Sequence, residues 1–134
     1  MRFWKLLIAA RDTYIFPTER TGRFFKGEVN DRGLPDVAWH GTRLNKPGWN
    51  DPNAHYLAYT LGGFEGPPDL HVVLNMHRDA LDFEVPVITG RRWYLVGDTS
   101  RPSPEDIVET ERQAPIEGNH VRVEGRSVVV LLSR

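Results

Sequence analysis

Cysteine is absent from the 134-residue chain. That excludes disulfide staples and thiolate metal sites, and it suits a reducing compartment. Excess charge of one sign is missing as well, since 17 basic and 18 acidic side chains leave a net charge of −1. Nucleic-acid binding normally shows as a basic excess, so no nucleic-acid partner is expected. Long apolar runs are also lacking. Leu6 to Ala10 lies between Lys5 and Arg11, far short of the ~20 residues a membrane helix needs. Arg11 and Asp12 follow it at once, which is a poor fit to a signal peptide. The expectation is a soluble, cytoplasmic, single-domain protein, long enough to bury one core without metals or disulfides.

Catalytic patterns are equally scarce. The five histidines, His40, His55, His71, His77 and His120, are never three or four residues apart, the spacing that puts two metal ligands on one helix face. Asp51-Pro52-Asn53 lacks the dense acids of a calcium loop. There is no Gly-x-Ser-x-Gly and no Gly-rich phosphate loop. Asp82 and Glu84 share a strand face, yet alternation with Leu81, Phe83 and Val85 is what a solvated strand surface shows. Nothing in the pattern desolvates either acid to raise its pKa. No metal, cofactor or catalytic residue is expected.

What is present is one helix followed by short strands. Phe3, Leu6, Leu7, Ala10 and Tyr14 recur at helical spacing, predicting a helix from Phe3 to about Tyr14 that Pro17 ends. No Ser, Thr, Asp or Asn precedes Phe3 as a start signal. Alternation then predicts strands around Val37–His40, Tyr56–Leu61, Leu70–Met76, Leu81–Val85, Trp93–Leu95, Val121–Val123 and Ser127–Leu132. Glu124-Gly125 is a hairpin candidate. Ser127–Leu132 is apolar on both faces and reads as a central strand. The fold class is all-β: an antiparallel sandwich of about seven or eight strands with one N-terminal helix. Residues 1–20 form the helix and linker, and 21–134 the sandwich. The connection from Thr99 to Asn119 is the longest, and Ser103-Pro104-Glu105-Asp106 within it has the pattern of a short helical turn.

Aromatic residues carry the remaining signal. Trp39, Phe83 and Trp93 fall on apolar strand faces and read as core anchors. Trp49 sits in a loop between Gly48 and Asn50, where it could plug the sandwich edge, stack on a sugar ring or dock on another domain. His71 and Asn75 share the less apolar face of their strand, which favours a solvent-facing or interdomain role.

The ordered set DVAWHG (36–41), PGW (47–49), LAYTLGG (57–63), DLHVVLN (69–75), FEVP (83–86), RWYLVGDT (92–99) and RSVVVL (126–131) resembles the C-terminal region of isoamylase-type glycogen debranching enzymes, in the α-amylase superfamily of glycoside hydrolases. The opening FWKLLIAAR (3–11) resembles the last helix of their catalytic barrel, and FFKG (24–27) the segment leading into the terminal domain. The resemblance implies glycogen or α-glucan metabolism, with hydrolysis of α-1,6-glucosidic branches in full-length members. Their catalytic acids lie on a (β/α)₈ barrel of about 250 residues, for which this chain has no counterpart. A non-catalytic accessory domain is therefore expected, not an enzyme by itself. Its candidate partners are a separate catalytic barrel and a second copy bound through the N-terminal helix. The alternative is an α-glucan-binding module, with Trp49, Tyr56 and Trp39 stacking on glucose rings and Asn53 or His55 bonding hydroxyls.

Overall fold

The computed structural model describes residues 1–15, 25–64 and 68–134. Helix α1 spans Arg2–Ala10 and passes into a wider π-type turn at Arg11–Ile15. Its N-terminal residue, Met1, supplies no side-chain cap. Pro17, Phe24 and the boundary expected at 20/21 lie outside the described residues.

Seven strands follow: β1 Ala38–His40, β2 Tyr56–Leu61, β3 Leu70–Asn75, β4 Leu81–Glu84, β5 Trp93–Asp98, β6 His120–Val123 and β7 Ser127–Ser133. Five form an antiparallel sheet in the order β1-β2-β3-β7-β5, and β4 pairs with β6 in a second sheet. The chain is thus an antiparallel β-sandwich with one N-terminal helix. Strand β7 lies between β3 and β5, which is why it is apolar on both faces.

The main core fills the space between the sheets. Ala58, Val73 and Val129 form one cross-strand row and pack with Phe83, Val85 and Val123 of the smaller sheet. Trp93 joins them and donates its indole N–H to the Pro86 carbonyl at 2.7 Å. A second cluster of Leu70, Val72, Val96 and Leu132 lies on the opposite face of the large sheet. Trp39 belongs to that outer face, directly opposite Tyr59 in the register, and is 44% exposed. It is therefore not an anchor of the main core. Strand β1 is at the edge of the sheet among the described residues, paired on one side by β2.

The inner face also contains the polar side chains that the pattern assigned to solvent or another domain. His71 and Asn75 are fully buried. Hydrogen bonding makes this possible. Asn75 Nδ2 donates to the Asp79 and Val123 carbonyls, both at 3.0 Å, and its Oδ1 accepts from the His77 N–H. One amide thereby ties the two sheets together.

His71 belongs to a chain of bonds with a single direction. The Asn45 N–H donates to His40 Nδ1 at 2.8 Å, so the neutral His40 ring carries its proton on Nε2. That proton is donated to Thr60 Oγ1 (2.9 Å), whose own hydroxyl donates to His71 Nδ1 (2.8 Å). His71 Nε2 then carries a proton and has no hydrogen-bond partner among the described residues. Burial, reinforced by His40, pushes the His71 pKa down to about 3, and burial lowers that of His40.

A second polar assembly closes one end of the sandwich. Asp69 receives Arg32 Nε at 2.9 Å and Nη2 at 2.7 Å, together with the Ser133 hydroxyl at 2.7 Å and the Gly63 N–H at 2.8 Å. Burial alone would raise this carboxyl, but Arg32, Ser133 and Gly63 together hold it below its usual value. The 30–34 turn, the end of β2 and the end of β7 are locked by one carboxylate.

Two local expectations change in the folded chain. Residues 124–126 join β6 to β7 across different sheets and do not form a hairpin within one. Glycine is required at 125, because a Cβ there would overlap the Arg78 carbonyl. In the long connection, residues 103–106 form a turn with a cis Ser103–Pro104 bond, and the helical turn falls at Thr110–Arg112. The rest of that connection runs along β5. Val96 accepts from the Val108 N–H at 2.7 Å, Leu95 donates to Ala114 at 3.0 Å, and Ile116 donates to Trp93 at 2.8 Å. It covers the backbone groups of a strand that would otherwise be an open edge.

Candidate binding surface

Two features stand out on the outer face. The first is a cleft of about 540 Å³ between α1 and the sheet. Phe3, Trp4 and Leu7 form its helix wall, and Val72, Val130 and Leu132 its floor. The helix is held by its first turn: Arg2 forms an ion pair with Asp106 and donates to the Ile107 carbonyl at 3.2 Å. None of the α1 side chains is fully buried, and Trp4, Leu7 and Ile8 are exposed. The helix spans the face without closing it.

The second feature is an aromatic corner. The Trp39 and Trp49 ring centroids are 5.9 Å apart at an interplanar angle of 66°, and Tyr59 lies 5.6 Å from Trp39. Trp49 is 63% exposed. Half-burial raises the Tyr59 phenol above its ordinary pKa. Tyr59 also lines the cleft, whereas Trp39 and Trp49 do not. The corner therefore lies beyond one end of the cleft, on the edge strand.

The other residues singled out in the sequence are distributed differently. Tyr56 points to the inner face, edge-on to Phe83 at 5.9 Å, with its hydroxyl beside Gly48. The His55 ring stacks with His77 at 6.3 Å. Asn53 is exposed, and its N–H donates to the Asp51 carboxylate at 2.9 Å in a local turn. Tyr56 turns inward, whereas the Trp49 ring meets Trp39, which in turn meets Tyr59. Alternation alone placed Trp39 and Tyr59 on strand faces, but only the β1–β2 register makes them neighbours.

Chemistry at the carboxylates is constrained. Glu84 accepts from the Leu44 N–H at 2.9 Å and serves the 41–54 loop, while Asp82 is exposed and lies 3.9 Å from Arg122. Among the described residues, no group of three or more His, Cys, Asp or Glu could hold a metal ion, and no helix is long and apolar enough to cross a membrane.

The described residues thus form a two-sheet antiparallel sandwich with an apolar outer face. Residues 38–129 match the family described as Isoamylase 1-3, C-terminal, and the chain belongs to that family. Among curated proteins it is similar to "Isoamylase SU1, chloroplastic" of Zea mays, with 28% identity over 90 residues, and to "Isoamylase 1, chloroplastic" of Arabidopsis thaliana, with 29%. Each match covers 63% of this chain but only 11% of the relative, so the chain spans a small part of their length. Both relatives are named as chloroplastic, which overturns the expectation of a cytoplasmic protein. A cysteine-free composition is compatible with more than one reducing compartment and does not choose between them.

Proposed function

We propose that this domain stabilises a catalytic barrel of an α-1,6-glucan debranching enzyme by docking its outer face on it. The observation that carries this reading is the open apolar cleft between α1 and the sheet, on a domain of the isoamylase C-terminal family. An ordinary two-layer antiparallel sandwich leaves its outer faces polar. Here Leu70, Val72, Val96 and Leu132 form a second apolar cluster on that face. Helix α1 fits the role of the tail of the last barrel helix, since its Trp4 and Ile8 are exposed among the described residues. Debranching activity belongs to the assembled enzyme in this reading, and the domain contributes stability.

The test is to mix the chain with a barrel-only fragment of a related isoamylase and follow sedimentation and branch-point hydrolysis. Association at micromolar concentration, with a rise in barrel melting temperature, is expected. Leu7→Glu, which places a charge on the cleft wall, should weaken association at least tenfold. No association at micromolar concentration would overturn the proposal. A concentration-dependent dimer in light scattering, dispersed by the same substitution, would assign the cleft to a second copy instead.

A further inference from the structure

The Trp39–Trp49 corner is built differently from the cleft. Its loop is tied by hydrogen bonds on both sides of the exposed ring. The Asn45 N–H is tied to His40 and the Leu44 N–H to Glu84, while Asp51 donates to the Gly48 carbonyl and Ala54 to that of Asp51, both at 3.1 Å. A Cβ at Gly48 would collide with Ala54, so the residue before Trp49 is kept small to let the loop close. A hydrogen-bonded loop that holds a 63%-exposed tryptophan against a second, 44%-exposed one presents an exposed aromatic surface. The same loop carries Arg43, Lys46 and Asp51 and the amides of Asn45, Asn50 and Asn53, all exposed. This set is rich in hydrogen-bonding groups and mixed in charge, which suits a neutral polar ligand better than an anion.

A pyranose ring offers the matching chemistry. Its C–H face carries partial positive charge and stacks on the negative face of an indole, while its hydroxyls reach the polar rim. The 66° angle between the two indoles restricts which chain can use both. A β-1,4-linked glucan is a flat ribbon and meets coplanar rings, whereas an α-linked chain turns from one residue to the next. We infer that the Trp39–Trp49 corner binds an α-linked gluco-oligosaccharide. The inference rests on the debranching-enzyme reading for the identity of the sugar. It does not require barrel docking, because neither tryptophan lines the cleft.

Indole N–H resonances of the intact chain, titrated with maltoheptaose, test it. The four tryptophans supply their own controls, since Trp93 is buried and bonded to Pro86, and Trp4 reports on the cleft. Saturable shifts of the Trp39 and Trp49 signals are expected at millimolar sugar, with Trp93 and Trp4 unmoved. Trp49→Ala should reduce affinity at least tenfold while leaving the melting temperature and barrel association unchanged. Cellohexaose should bind at least tenfold more weakly. The inference is overturned by an absence of saturable shifts, by shifts confined to Trp4, by undiminished binding to Trp49→Ala, or by equal affinity for cellohexaose. If Trp49→Ala abolished barrel association but spared sugar binding, the corner would belong to the docking surface.

Discussion

On the inner face of the five-stranded sheet, His40, Thr60, His71 and Asn75 are almost completely buried, whereas on the outer face Leu57, Tyr59, Leu61 and Leu74 remain partly open. The more polar set lies in the core and the more apolar set faces outward. What separates the faces is the material opposite each. The inner face meets the β4–β6 sheet with Phe83, Val85 and Val123, and among the buried side-chain polar atoms of the described residues only His71 Nε2 is without a partner. Among the described residues, the outer face meets a helix that is anchored at its start and leaves the cleft open. Burial within this chain thus follows layer order, and the outward apolar surface is the part that suits an external partner.

The largest expected effect contrasts the two faces directly. Leu131, fully buried on the inner face, should cost about 2–5 kcal/mol when changed to Ala, because a cavity remains. Leu61, half-buried on the outer face, should cost only about 1 kcal/mol with the same change, since solvent can fill the gap. Urea unfolding of both variants measures the contrast. Equal costs would mean that the outer face is as fully packed as the inner one.

Acid should act first through the inner face. The His71 pKa is about 3 in the folded chain against 6.5 for a free histidine, so the unfolded state binds the extra proton between these values. The contribution is complete above about pH 6.5 and declines as pH falls toward 3, by about 1.4 kcal/mol per pH unit once well inside the window. His40, also lowered, acts in the same direction. Asp36 and Asp69 are lowered from 3.8, so their contributions are lost at lower pH. Unfolding free energies measured from pH 7 to pH 4 should fall, and His71→Leu should flatten the slope. An unchanged slope in that variant would remove His71 from the account.

The smallest stability effect belongs to the corner. Trp49→Ala should change the unfolding free energy by less than about 0.5 kcal/mol, as exposed positions do. A loss several times larger, in the same urea series, would make Trp49 a structural plug of the sandwich edge.

Much of the architecture was legible in the chain. Strand positions followed from two-residue alternation, and the central place of β7 followed from its valines on both faces. The ordered aromatic and glycine-bearing segments carried the family. The sites of His71, Asn75 and Trp39 were not legible, for different reasons. His71 Nδ1 is bonded by Thr60, and Asn75 by the Asp79 and Val123 carbonyls, and those partners are remote in sequence or unmarked by residue type. Trp39 looks like any apolar strand residue until the register makes β1 an edge and sets it beside Tyr59 and Trp49.

Local composition thus determined the strands, the single helix and the absence of a cysteine site, because periodicity and residue type act over a few neighbouring positions. Tertiary structure alone decided which strand face became the interior, where α1 rests and which aromatics meet. Those outcomes depend on strand order and on hydrogen-bond partners tens of residues apart.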